Sequence, residues 1–494
     1  MRTIVIGGGF GGIASALRAR AKGHEVTLIE KNDQLGGRAQ VFERDGFKFD
    51  AGPTVITAPF LFDELFSLFG KNRADYVEFI PLNPWYQFYF SDDKTRFNYG
   101  GTVEDTLAEI AKIEPADQLN YQRLIAHSKK IYQVGFEQLA DQPFHKITTM
   151  VKQIPQLARL RSDRSVWGMV SRYLKNDKLR QAFSIQPLLV GGNPFSTTSI
   201  YGLIHYLERE YGIFFAKGGT GAIVQALQKL MQEQGIEVMT NARVTSFGTT
   251  GRTINYAEIN ETEQLPADNF VFNGDPLYLY SQLLPQSRSK PALRLKVEKS
   301  KRSMGLYVLF FGTTVQYPDV EHHTIWLGKR YKELLNEIFA EKQLPDDFSL
   351  YLHRPTASDS SFAPAGCDSF YVLAPVPNLR ASIDWDTEEP KLRQKIIDAL
   401  DETLLPNLKN SITQVFSMTP EDFKADYLSV DGAGFSIAPK FTQSAWFRFH
   451  NQSEYFGNLF LSGAGTHPGA GMPGVLSSAK VVEKLLPEAV PEAS

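Results

Sequence analysis

The chain alternates short apolar runs with glycine-rich breaks, and the clearest such unit is at its start. Residues 3–6 are all β-branched and predict a strand; residues 13–21 have helical composition closed by Gly23; residues 26–29 predict a second strand ending at Glu30. The same order returns later. Residues 223–234 predict a helix stopped by Gly235 and followed by a strand at 236–239 leading to Ala242-Arg243-Val244; residues 270–272 predict a buried strand ending in Asn273-Gly274-Asp275. Near the C-terminus a strand at 458–461, a glycine-rich run and a helix at 477–486 repeat the arrangement. Between these lie a strand pair in 42–57 turning at Asp45-Gly46, a β-rich stretch at 77–99, a helix at 199–210 carrying His205, and strands of a second sheet at 304–312, 349–354 and 370–373. The fold class expected is α/β in its cofactor part and α+β overall.

The breaks carry the candidate chemistry. Gly7, Gly9 and Gly12 form a G-x-G-x-x-G between a strand and a helix, with Phe10 and Gly11 inside it. Gly7 permits the tight turn, Gly9 lets backbone approach a pyrophosphate, and Gly12 allows close helix–strand packing, while the helix N-terminus offers N–H groups to phosphate. Glu30, with Lys31 after it, ends the second strand where a carboxylate accepts from a ribose diol. A second glycine pair follows in Gly36-Gly37-Arg38-Ala39. A nicotinamide unit has no need of it; in flavoproteins with an amine-oxidase-like or glutathione-reductase-like dinucleotide fold this stretch crosses the cofactor with the Arg facing the pyrophosphate, which points to FAD. Gly52-Pro53-Thr54 marks a loop close to something, and Asp50 reads equally as a polar contact or a turn cap. Residues 462–475 hold seven glycines or prolines, and Gly463, Ala464, Met472, Pro473, Gly474 and Val475 are the candidate cofactor contacts there. That backbone can lie against a flat ring, with the following helix end favouring negative charge on a reduced flavin. Trp85, Tyr86, Phe88, Tyr89 and Phe90 read as core packing or as a wall for an apolar substrate.

Composition narrows the class. With 494 residues, 43% hydrophobic and 22% charged, two or three lobes are expected. Net charge is −3, which carries no nucleic-acid signature. One cysteine, Cys367, excludes an intramolecular disulfide and a cysteine-cluster metal site. No run of about 18 apolar residues exists, and the apolar start is broken by glycines, so neither a transmembrane helix nor a signal peptide is expected. Only the tail 487–494 reads as disordered. Residues 146–180 differ from the rest, with nine basic residues against Asp163 and Asp177, and Ile147, Met150, Val151, Ile154, Leu157 and Leu160 at helical spacing. This is either a surface for an anionic membrane or a helical lobe with a solvated basic face. His322-His323 and His353 lie in the second half; adjacent histidines on a strand rarely ligate one ion, and no metal site is assigned.

Taken together, 7–12, 36–39, 49–57, 217–222 and 458–475 resemble the bacterial-type phytoene desaturases, the last stretch matching their C-terminal signature. Further likeness runs through 180–208, 322–324, 351–376 and 443–448. Two departures are Phe449, where that family usually has Pro, and Ala216-Lys217 in place of Pro-Arg. The resemblance implies a flavoenzyme, cytoplasmic and peripherally attached to the inner membrane, that takes a lipophilic carotenoid from the bilayer and introduces trans double bonds towards neurosporene or lycopene. FAD accepts the hydride, and a quinone or oxygen takes the electrons. It implies an FAD-binding domain of 1–80, 217–290 and 425–494, with Val244 among its contacts, a substrate domain of 81–125 and 291–424, and a helical membrane-associating lobe of 126–216 docking through 146–180. His467 and Asp275 are the candidate catalytic polar groups. A C30 or downstream carotenoid desaturase, a carotenoid isomerase, an amine oxidase and a flavin-free prenyl-lipid binder of the same fold stay open, as does oligomer formation.

Overall fold

In the computed structural model, residues 1–284, 291–341 and 343–489 are described; the remainder of the predicted disordered tail, from 490 on, lies outside them. Five parallel strands form the first sheet, in the order Leu459–Leu461, Asn269–Phe272, Arg2–Ile6, Glu25–Ile29, Glu237–Met239. Register aligns their carboxyl ends: Ile6 lies beside both Phe272 and Ile29, Phe272 beside Leu461, and Ile29 beside Met239. The glycine-rich and polar segments after these strands therefore open on one edge of the sheet, where ligands sit in open α/β folds. The helix Phe10–Ala21 packs against the C-terminal helix Met472–Leu485, and buried Ala14, Ala16, Leu17, Ala479 and Val482 fill the layer.

A second sheet has seven strands, in the order Ile412–Met418, Gly305–Thr313, Asp368–Val376, Leu350–His353, His323–Leu327, Tyr86–Phe90, Arg96–Tyr99. All neighbours are antiparallel except His323–Leu327 with Tyr86–Phe90. All nine residues of Gly305–Thr313 are buried, because alternate side chains serve different cores. Leu306, Val308 and Phe310 join one, while Tyr307, Leu309 and Phe311 join the other. Helices from Val103 to Tyr211 cover one side, among them Asp117–Tyr132, Ile147–Arg159, Val166–Tyr173 and Leu203–Tyr211.

Two elements differ from the sequence reading, and a third is resolved in detail. The C-terminal helix begins at Met472, five residues early, because Pro473 sits in the first turn, where its missing N–H costs nothing. The helix expected at 199–210 is a 3₁₀ turn, Ser199–Gly202, joined to Leu203–Tyr211. The stretch 77–99 is three short strands, Phe79–Pro81, Tyr86–Phe90 and Arg96–Tyr99. Its aromatic group is core: Trp85, Tyr86, Phe88, Tyr89 and Phe90 are buried, Trp85 meets Tyr99 edge-on at 5.2 Å, and the Arg209 guanidinium covers Trp85 at 4.4 Å.

Candidate active site

A cavity of about 550 Å³ opens at the carboxyl edge of the parallel sheet and runs between the seven-stranded sheet and the helices. Its polar end is built from the segments the sequence singled out. Gly7, Gly9, Phe10, Gly11, Glu30, Lys31, Gly36, Gly37, Arg38, Pro53, Thr54 and Val244 line it, as do Gly463, Ala464, Met472, Pro473, Gly474 and Val475. Gly12 is not on its wall. A Cβ there would stand 1.9 Å from the Gly7 carbonyl oxygen, so Gly12 is needed for packing of helix on turn.

This end fits a dinucleotide. No side chain caps the N-terminus of Phe10–Ala21, nor that of Met472–Leu485. Each is left as an electropositive end for an anionic group. The Glu30 carboxylate accepts from Gly8 N–H at 2.7 Å and Asn32 N–H at 2.9 Å, which fixes it and leaves one lone pair on each oxygen for a diol. Arg38 donates to Ser429 Oγ at 3.2 Å, while its buried Nε has no partner, and burial lowers the guanidinium's affinity for its proton. An anion such as pyrophosphate would satisfy that nitrogen.

Other residues at the site carried weaker sequence signals. Asn273 donates from Nδ2 to the Gly7 carbonyl at 3.2 Å, and its Oδ1 would stand 2.5 Å from a Cβ at Gly11, so it sits against the turn. Arg448 is 1% exposed and donates to the carbonyls of Thr466 at 2.9 Å and Ala464 at 2.5 Å. Asn451 donates to the His467 carbonyl at 2.9 Å. Together these two hold the glycine-rich loop against the cavity.

Asp275 and His467 both line the cavity, in different states. The Asp275 carboxylate accepts from Leu277 N–H, Ser436 Oγ and Val430 N–H at 2.9–3.1 Å, and burial pushes its pKa up. It caps a helical turn. His467 donates from Nε2 to the Leu139 carbonyl at 2.9 Å, leaving Nδ1 as an acceptor with no partner, and burial holds its pKa down at about 4. Asp50 lies off the cavity, accepting from Thr220 N–H at 2.8 Å and from its hydroxyl at 2.9 Å at the start of the helix Gly219–Glu233. The departures Phe449 and Lys217 are also off it: Phe449 stacks on Tyr280 at 5.9 Å, and Lys217 pairs with Glu78 at 3.1 Å.

Beyond the polar end the wall is hydrocarbon. Phe136, Leu139, Phe144, Leu188, Leu203 and Leu207 come from the helical side, and Met304, Leu306, Ile325, Leu350 and Leu373 from the sheet. Glu208 interrupts it. Burial raises this carboxyl to about 8, so at neutral pH it is mostly protonated, its Oε1 3.1 Å from the Tyr86 hydroxyl. With Glu208 protonated and His467 neutral, neither group charges this region.

Burial of His205 and His467, each titrating near 4 in the folded chain, makes an acid-stability prediction. Between pH 6.5 and 4 the unfolded chain binds protons that the folded chain refuses, so stability is lost as pH falls through that window. The melting temperature is expected to decline steadily from pH 6.5 to 4. A flat profile there would show that these imidazoles do not stay neutral on folding.

The family model for flavin containing amine oxidoreductases matches residues 10–482. The chain belongs to that family. This flavin-dependent oxidoreductase uses FAD. It is 45% identical, over 98% of its length and 99% of the relative's, to a lycopene-forming phytoene desaturase of Pantoea ananas. To a neurosporene-forming phytoene desaturase of Rhodobacter capsulatus it is 40% identical, over 99% and 94%. Among solved structures, an oxidoreductase from Methanosarcina mazei superposes with TM-score 0.68 at 15% identity (98% and 100% of the chains). Cyclohexylamine oxidase from Brevibacterium oxydans does so with TM-score 0.63 at 14% identity, each chain 98% covered. These two likenesses concern the fold. Among the described residues no helix of this flavoenzyme is long and apolar enough to cross a membrane.

Proposed function

We propose that the protein desaturates phytoene stepwise, forming conjugated double bonds towards neurosporene or lycopene. The observation that carries this reading is the cavity's hydrocarbon end, lined by neutral groups and continuous with a dinucleotide cradle. A substrate without ionisable groups needs such a wall, and an amine substrate would bring a charge that this wall leaves unpaired. FAD, when bound, would be held by Gly7, Gly9, Glu30 and Arg38 and would supply the two-electron oxidation, with a quinone or oxygen as the final acceptor. The chain's residues then orient the polyene, exclude water and receive the proton lost from the neighbouring carbon. His467 Nδ1 is the acceptor we assign, since its other nitrogen is committed to Leu139 and the imidazole is neutral. A weak base suffices for a proton beside a developing allylic cation. Asp275 positions the wall through its three hydrogen bonds.

Expression in a phytoene-accumulating bacterial host tests the reading. New polyene absorption bands are expected, and chromophore length counts the steps. Unchanged phytoene in the presence of flavin-loaded protein would overturn it, and turnover of a C30 substrate would reassign it. For the base, His467→Asn is expected to keep FAD and lose about 10²–10⁴-fold in turnover. An unchanged rate removes His467 from that role.

Docking on an anionic membrane surface through 146–180 belongs to the same proposal. The helix Ile147–Arg159 supports it, because Ile147, Val151 and Ile154 are 54%, 55% and 51% exposed while Leu157 reaches the cavity wall. Lys146, Lys152, Arg159 and Arg161 are exposed beside them, and the segment 445–447, with exposed Phe447, packs on this helix. Apolar burial with cationic flanks is the pattern of an interfacial helix. Replacing Ile147, Val151 and Ile154 by Ser is expected to move the protein from the vesicle pellet to the supernatant with its flavin retained. Undiminished sedimentation would place the contact elsewhere.

A further inference from the structure

Behind the cavity wall His353 meets the adjacent pair His322-His323, thirty residues earlier in the chain. His323 and His353 face each other across neighbouring antiparallel strands, and His322 immediately precedes the first of them. All three are buried, and one ring nitrogen from each lies within 4.8 Å of the other two. Ring centroids are 4.6 Å (His322 to His323), 4.8 Å (His322 to His353) and 5.5 Å (His323 to His353) apart. Around a tetrahedral ion with metal–nitrogen bonds of about 2.0–2.1 Å, imidazole centroids stand about 5 Å apart. The ring centroids are thus already spaced for such an ion, and loading it draws the widest pair of nitrogens in from 4.8 Å to about 3.4 Å by small ring rotations.

The hydrogen bonds sort the six nitrogens into two sets. His322 Nδ1 lies 2.8 Å from Ser358 Oγ, His323 Nδ1 2.8 Å from the Tyr351 hydroxyl, and His353 Nε2 3.2 Å from Asp50 Oδ2. The remaining three, His322 Nε2, His323 Nε2 and His353 Nδ1, have no partner. Leaving a buried polar atom unsatisfied is costly, and one common occupant would satisfy all three. Each partnered nitrogen can donate its proton outward, which leaves the lone pair on the unpartnered one. This is how outer partners set the tautomer of metal-binding histidines.

We infer that His322 Nε2, His323 Nε2 and His353 Nδ1 form a binding site for a divalent transition metal ion of the zinc type. Three imidazoles without thiolate or inner carboxylate suit zinc and its neighbours rather than calcium or magnesium. Asp50, through His353, offsets part of the charge, and a hydroxide at the fourth position offsets more. Arg354, the neighbouring cation, is paired with Asp368 at 3.2 Å. The ion would pin the seven-stranded sheet to Asp50 and so to the start of the helix Gly219–Glu233. It would reach the cavity through Tyr351, whose hydroxyl is 2.6 Å from Thr54 Oγ1, and through Tyr371, whose ring lies 6.4 Å from that of His353. The inference is independent of the proposed substrate.

The test uses the full chain purified with FAD. Elemental analysis is expected to find about one zinc per chain; after chelation, added Co(II) should give the strong visible bands of a four-coordinate ion, and added zinc should raise the melting temperature again. His322→Ala, confirmed folded by circular dichroism and flavin content, should hold no stoichiometric zinc. A wild-type chain that carries no zinc and leaves Co(II) in its hydrated octahedral form overturns the proposal, the three nitrogens then sharing a water. Zinc at full stoichiometry in folded His322→Ala overturns it equally, by placing the ion elsewhere.

Discussion

Gly12→Val yields a chain that binds no FAD and forms no coloured product. The added Cβ would stand 1.9 Å from the Gly7 carbonyl oxygen and 3.0 Å from Asn273 Nδ2. Neither atom can step aside. Gly7, at φ +100°, makes the turn out of the first strand, and its carbonyl accepts from Asn273. Gly12 N–H is bonded to the Gly9 carbonyl at 2.9 Å, so the helix cannot lift away without breaking its own first turn. Overpacking of a flexible core costs about 1–3 kcal/mol; here the obstruction is backbone, and the cost exceeds that range. Visible flavin absorbance per chain in the purified protein is the readout. Flavin at the wild-type level would show that the turn can rearrange.

Arg448→Met should be nearly as damaging, although Arg448 is not on the cavity wall. Its guanidinium is the largest fully buried side chain among the described residues, and it donates to the carbonyls of Thr466, Ala464 and Gln443. Met retains much of the volume and removes the donors. Two or more buried carbonyls then lose their partners at about 1–3 kcal/mol each, a loss of about 3 kcal/mol or more in a loop that must hold its shape against a flat ring. A melting temperature lowered by several degrees and weakened flavin retention are expected, with Arg448→Lys recovering part of both. Wild-type stability and flavin affinity in the Met variant would mean the loop is held without these bonds.

The two cases differ in how far the sequence announces them. Gly12 belongs to a motif whose meaning is local, since strand, turn and helix are consecutive and the steric demand lies within a dozen residues. Arg448 sits in a polar stretch with no periodic pattern, and what it serves is 16 to 18 residues further on. Only the resemblance over 443–448 pointed there. Glu208 was legible as part of a helix but not as a neutral carboxyl on a cavity wall, because its exposure depends on what packs over that helix. The histidines show the same limit. Alternation along a strand sends neighbours to opposite faces, so His322-His323 argued against a shared ligand; the strand in fact begins at His323, which frees its neighbour from that rule.

By itself the sequence determined the dinucleotide unit, the FAD preference and the glycine-rich C-terminal loop, since each rests on backbone demands made by adjacent residues. It also determined that the chain resembles carotenoid desaturases. Tertiary structure alone decided which apolar segments enclose the cavity and which fill the core, that Trp85 and its neighbours are core, that Asp50 caps a helix, and that His353 shares one space with His322 and His323. These outcomes depend on strand register and on helices packed over the sheet, contacts between residues tens to hundreds of positions apart that no local pattern encodes.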